Sequence, residues 1–266
     1  MITIGDVSVV PVVDSVVRFD PAKAYGAMTA VDWSRHASLL DGEGFLRLTL
    51  GGYVVRSGDR VLLVDAGVGP EDRQGKTATM PGGKLLDNLR ASGTAPEEIT
   101  DVVFTHLHVD HIGWGAVGDQ IVFPNATYRC HQADWDYFLG GGAMSDPEKL
   151  SVMAPVMSCW SQSTTLAPGF DVIDAPGHTP GSSIVVLSDA NERGVLLGDV
   201  VHCPAELVED EWQTIGDVDP QLARRTATQL AREYEGSDAV IGAAHFTDLQ
   251  FGRLLLGEGR RKWVYA

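Results

Sequence analysis

The stretch Thr105-His106-Leu107-His108-Val109-Asp110-His111 constrains this chain more than any other. Three imidazoles and a carboxylate fall within six residues, directly after the apolar run Val102-Val103-Phe104. Side chains alternate along a strand with period two, so a strand ending here delivers His106 and His108 to one side. Asp110 and His111 then come from the loop or helix start that follows. A set this dense in nitrogen and oxygen donors suits two divalent ions better than one.

Four distant positions share a setting with that cluster. Asp65 follows Val61-Leu62-Leu63-Val64, Asp199 follows Val195-Leu196-Leu197-Gly198, and His245 follows the apolar run from Ala239. His178 sits in the turn Pro176-Gly177-His178-Thr179-Pro180-Gly181, after the run from Phe170. Ligands placed repeatedly at strand ends converge on one rim of a sheet, where loops build a site.

The rest of the pattern supports such a scaffold. Strand signals cover 2–17, 45–50, 52–56 and 61–65, with Ser57-Gly58-Asp59-Arg60 as a hairpin turn. Further strands are expected at 101–104, 122–131, 170–175, 183–187, 194–198 and 239–242, with an edge hairpin over 251–265. Helical spacing marks 84–92, 133–139 and 220–234, and a helix over 147–160 interrupted at Pro155. Strand-rich halves with interspersed helices predict an α/β protein with two sheets packed face to face and helices outside. No long linker interrupts the 266 residues, so we expect a single domain over 1–266.

These motifs resemble the metallo-β-lactamase-fold hydrolase superfamily. His106, His108, Asp110 and His111 match its HxHxDH motif, and His178, Asp199 and His245 match its remaining ligands in order. Asp65 in Asp-Ala-Gly matches the buried aspartate that supports them. The segment from Gly198 to Pro204, with Asp217-Val218-Asp219-Pro220, is most similar to the branch of acyl-homoserine lactonases and methyl-parathion-hydrolase-like enzymes. The resemblance implies a four-layer αββα sandwich of two mixed β-sheets. It also implies two divalent metal ions: zinc, with iron, manganese or cobalt as alternatives. One ion would take His106, His108 and His178, the other Asp110, His111 and His245, and Asp199 would bridge. A hydroxide shared by the metals would open a lactone or cleave an ester, with organophosphate triesters as side substrates. Asp110 and Asp199 are the expected catalytic carboxylates, Asp110 passing a proton to the leaving oxygen.

Composition narrows the partners. A formal net charge of -16, with no basic run, argues against nucleic acid and for neutral, fairly apolar ester or lactone substrates. No apolar stretch approaches the ~20 residues that span a bilayer, so no membrane partner is expected. Residues 1–18 lack a basic start and a small-residue cleavage site and read as a strand, which points to the cytoplasm. Three cysteines without CxxC spacing, Cys130, Cys159 and Cys203, fit that reducing compartment as small hydrophobic residues. A homodimer is allowed. His36, His131 and His202 read as structural or surface histidines, His202 also as a pocket-lining candidate. Gly140-Gly141-Gly142 reads as a loop, because no Lys-Ser/Thr follows it as in a phosphate cradle. The aromatic-rich segment 19–45 is expected to form a lid, with Trp33 or Phe45 on the pocket. Two alternatives stand beside the lactonase. One is a glyoxalase II-like thioesterase, set second because about 20 residues follow His245. The other is a non-catalytic metal-dependent binding scaffold.

Overall fold

The structure is a computed structural model, and it describes residues 1–75 and 78–266. Fourteen strands form two seven-stranded sheets, each ordered as the chain runs. The first holds β1 (Ile2–Ile4), β2 (Val7–Phe19), β3 (Leu46–Ser57), β4 (Arg60–Val64), β5 (Asp101–Val103), β6 (Thr127–His131) and β7 (Met157–Trp160). The second holds β8 (Thr164–Ala167), β9 (Phe170–Asp174), β10 (Ser183–Asp189), β11 (Glu192–Leu196), β12 (Val240–Gly242), β13 (Gly252–Gly257) and β14 (Arg260–Tyr265). Both are mixed: β4 to β7 run parallel in the first sheet, as do β11 and β12 in the second, and the other pairs are antiparallel. The α-helices among the described residues are α1 (Pro21–Ala24), α2 (Ala30–Ser34), α3 (Leu85–Ala91), α4 (Gln132–Leu139), α5 (Pro147–Met153), α6 (Ala205–Val208) and α7 (Pro220–Tyr234).

Alternation along the strands builds the layers. Val55, Leu62, Val64 and Val103 of the first sheet meet Phe170, Val172, Val185, Leu187 and Leu196 of the second in a core between the sheets. The intervening residues Val54, Leu63 and Val102 face outward and pack on Leu85 and Leu89 of α3, Phe138 of α4 and Leu150 of α5. On the far side, Ile184, Val195 and Ile241 pack on Leu230, Ala231 and Tyr234 of α7. Central strands buried on both faces read as unbroken apolar runs, which is why 61–64 and 195–197 stood out. The result is the expected αββα sandwich.

Three local expectations change. Residues 45–50 and 52–56 form one strand, β3, which runs through Gly51 and Gly52. A Cβ on Gly52 would lie 2.1 Å from the Asp65 carbonyl oxygen, so this glycine permits a close backbone approach and does not break the strand. The helix from Pro147 stops at Met153. After a 3-10 turn at 154–156, Met157–Trp160 is β7, in parallel register with β6. Residues 122–126 are turns, and only 127–131 pair as β6.

One irregularity bears on the site. The β2–β3 register shifts between Val13 and Ser15, which turns the buried Asp14 inward. Its carboxylate accepts from Val68 N–H (2.7 Å), Leu85 N–H (2.7 Å) and Trp114 Nε1–H (2.8 Å). That ties together the loop after β4, the start of α3 and the loop after the histidine cluster.

Candidate metal centre

All seven residues expected as ligands meet at one rim of the sandwich, and all are buried. β5 ends at Val103, and the chain runs through Phe104 and Thr105 to place His106 and His108. Asp110 and His111 follow in the turn. His178 comes from the turn between β9 and β10, Asp199 from the residues after β11, and His245 from those after β12. The two halves of the rim are tied together where Ser183 N–H donates to the Thr105 carbonyl at 2.9 Å.

Two groups of donors are visible. His106 Nε2 lies 2.9 Å from His108 Nδ1, which lies 3.1 Å from His178 Nε2. Ligand nitrogens round a tetrahedral ion with ~2.0–2.1 Å bonds stand about 3.3 Å apart, close to this spacing. Beside them, His245 Nε2 lies 3.6 Å from Asp110 Oδ2, and His111 Nε2 lies 3.9 Å from the same oxygen. Asp199 stands between the groups. Its Oδ2 is 3.6 Å from His178 Nε2 and 2.9 Å from His245 Nε2, and its Oδ1 is 3.3 Å from His111 Nε2.

Electrostatics fit cations here. Burial pushes His106 and His108 well below the usual imidazole pKa, which leaves their ring nitrogens free to coordinate. Burial also opposes charge on His111, yet the carboxylates of Asp199, Asp65 and Asp110 raise it well above its ordinary value. Burial pulls Asp199 up, but the imidazoles of His245, His111 and His202 outweigh it and hold Asp199 well below the carboxylate range. His111 Nε2 and Asp199 Oδ1 are buried without a hydrogen-bond partner, although buried polar atoms are normally satisfied. A metal ion supplies what both lack, so the residues present fit divalent metal.

Carboxylates hydrogen-bond to two of the candidate ligands and to the turns that carry them. Asp65 sits at φ 60° and accepts from Thr105 N–H (2.8 Å) and Thr105 Oγ1–H (2.8 Å), while its Oδ2 lies 3.0 Å from His111 Nδ1. Asp217 Oδ1 holds His178 Nδ1 at 2.9 Å. A carboxylate on one ring nitrogen directs the other toward the ion. Asp134 accepts from Leu107 N–H (3.2 Å), Thr179 Oγ1–H (2.9 Å) and Gly181 N–H (2.6 Å), binding the two histidine-bearing turns to α4. Of these three, sequence reasoning found only Asp65. Asp217 had a signal in the Asp-Val-Asp-Pro segment. Asp134, inside an ordinary helix start, had none.

His202 faces the site and not the surface. Its Nε2 is 3.4 Å from Asp199 Oδ2, and its ring stacks on His245 at 5.5 Å and 7°. His36 and His131 are structural as expected: His36 meets Glu209 and Trp212, and His131 Nδ1 caps α4 by accepting from Ala133 N–H. Cys203 is buried, and burial pushes its thiol up to about 12, so it stays protonated.

A cavity opens above the ligands. Val17, Phe19, Tyr25, Leu48, Leu50, Met80, Met144 and Ile215 form its apolar lining, and His108, Asp110, His178, Asp199, His202 and His245 its polar lining. From the segment 19–45 it is Phe19, Ala24 and Tyr25 that reach the cavity, not Trp33 or Phe45. Trp33 packs instead at 4.6 Å from Trp212 and 5.3 Å from Tyr25, and the Arg18 guanidinium lies 4.5 Å over the Phe45 ring.

Comparison with known proteins identifies the family. The family model described as "Metallo-beta-lactamase superfamily" matches residues 52–239, a span holding six of the seven candidate ligands, with His245 just beyond it. Metallo-beta-lactamase domain-containing protein 1 of Mus musculus is 32% identical over 171 residues, 64% of this chain and 54% of that protein. N-acyl homoserine lactonase AttM of Rhizobium radiobacter is 31% identical over 182 residues, 61% of this chain and 64% of that one. The chain thus spans between about half and two thirds of the length of these relatives. Among solved structures, the dizinc quorum-quenching lactonase AidC superposes with a TM-score of 0.84 at 20% identity, covering 99% of this chain and 95% of its own. The family model matches more than half of the chain, and the chain belongs to the metallo-beta-lactamase superfamily.

Proposed function

We propose that the chain hydrolyses lactones and simple carboxylic esters at a two-metal centre, with zinc as the metal and organophosphate triesters as side substrates. One observation carries the proposal: seven buried His and Asp side chains converge under a cavity whose walls are largely apolar. His106, His108 and His178 would hold one ion, Asp110, His111 and His245 the other, and Asp199 both. Bound there, the ions supply Lewis acidity and lower the pKa of water toward neutrality. The chain does the rest. Asp65 and Asp217 fix the histidine rings. Asp110, at the cavity floor, takes a proton at its carboxylate and returns it to the leaving oxygen. Phe19, Leu48, Leu50 and Met80 hold the acyl group and keep water off it. The 19–45 segment serves as the outer wall of that pocket.

No Lys or Arg lines the cavity among the described residues, which favours neutral substrates over the carboxylates of a glutathione thioester. The names of AttM and AidC make N-acyl homoserine lactones the first substrates to try. The test is a panel of a chromogenic ester, short- and long-chain acyl homoserine lactones, a β-lactam, an organophosphate triester and S-lactoylglutathione. Lactones or esters should give the highest kcat/KM. S-lactoylglutathione above all of them would move the protein to the thioesterases, and no turnover by a metal-loaded protein would leave a binding scaffold.

A further inference from the structure

Among the buried carboxylates with no part in the proposed chemistry, one lies against the His202 ring. Glu206, in the first turn of α6, has a side chain only 6% exposed. Burying a carboxylate without a cation is costly, so the fold surrounds it with donors. Oε1 accepts from the Tyr25 hydroxyl at 2.6 Å, from His202 N–H at 2.7 Å and from Cys203 N–H at 3.0 Å. Three donors on one oxygen fix the plane of the carboxylate. Its other oxygen then faces the His202 ring, 3.8 Å from Nδ1, an atom that is buried with no hydrogen-bond partner. The opposite edge of that ring looks into the cavity floor beside Asp199. His245 stacks on one face of the ring, and His178 meets it edge-on at 5.1 Å. The imidazole is therefore held from four sides, and the chain leads out from it through Glu206 to Tyr25 in the 19–45 segment. Tyr25 is itself buried against Trp33 and Trp212.

We propose that Tyr25 and Glu206 are positioning residues that lock the His202 ring, so that its Nε2 edge meets the polar head of the lactone or ester beside the metal centre. This rests on the hydrolase reading. It gives the 19–45 segment a second role: the segment walls the acyl pocket and also sets the geometry where the bond breaks. A residue that only lines the wall shows in KM for bulky substrates, whereas one that aligns a polar group shows in kcat for all substrates.

The experiment is a double-mutant cycle on the metal-loaded protein with Tyr25→Phe, His202→Ala and the pair, read on a short- and a long-chain lactone. Metal content and the calorimetric affinity for the ring-opened hydroxy acid are measured on each variant. Tyr25→Phe should lower kcat roughly 10-fold on both lactones, and His202→Ala roughly 10–100-fold, with metal content unchanged. Both should weaken binding of the hydroxy acid. The pair should be no worse than His202→Ala alone, because Tyr25 acts through that ring. Multiplying losses, a Tyr25→Phe effect confined to KM for the long chain, or loss of metal from His202→Ala would overturn the inference. If Tyr25→Phe does not fold, Glu206→Gln takes its place in the cycle with the same expectations. A wild type that turns over neither lactone defeats the hydrolase reading itself. Active wild type with additive variants defeats only the inference.

Discussion

At the scale of single residues, the site divides into groups that would touch metal and groups that aim them. Asp199→Ala should cost kcat/KM at least ~10²-fold more than His202→Ala, because it removes the one carboxylate within reach of both donor groups. Parallel rates and metal assays on the two variants check this, and comparable rates would refute the assignment. Asp65→Asn keeps the shape but weakens the hold on His111 Nδ1. It should reduce metal affinity by ~10–100-fold, measured by competition with a chelator. The candidate ligands were legible in the sequence because four fall within six residues, two more end apolar runs and His178 sits in a Gly/Pro-bounded turn. Asp14, Asp134 and Glu206 were not, because each is a lone carboxylate whose meaning lies in what folds around it. Asp14 left one trace, an acid in the middle of the valine-rich run 7–17.

At the scale of elements, the parallel strands β4, β5 and β6 carry the first sheet's share of the site, and one carboxylate pins all three. Asp101 on β5 bonds Arg60 of β4 (Nε 3.0 Å) and Arg129 of β6 (Nε 2.7 Å). Burial pushes its pKa up, but the hydrogen bonds from Arg60, Arg129 and Thr100 together bring it below the ordinary value. Such a group adds stability above its unfolded pKa of ~3.9 and loses it as pH falls through the lower folded value. Asp101→Asn should therefore destabilise by about 1–3 kcal/mol at pH 7, and the gap to wild type should shrink below about pH 4. Denaturant titrations at both pH values decide it; a gap that widens in acid contradicts the ion-pair account. The strands were readable here from apolar runs. Their joining was not: glycines at 51–52 look like a break until the close approach of Asp65 is seen, and β7 looks helical until β6 lies beside it.

At the scale of the whole molecule, two sheets grip the site from opposite sides, since His106 to His111 leave the first sheet and His178, Asp199 and His245 the second. Metal at this junction should stabilise the native state as any ligand of the folded form does. Chelation should lower Tm, and re-addition of zinc should restore it. The sandwich itself was legible from strand-rich halves, whereas the aromatic cluster of Tyr25, Trp33 and Trp212 joins distant segments that no local pattern connects. The most direct test of the central claim is elemental analysis of the gently purified protein. The account predicts about two divalent ions per chain, falling toward one or none in Asp199→Ala. A wild-type content that stays near zero after metal supplementation would contradict it.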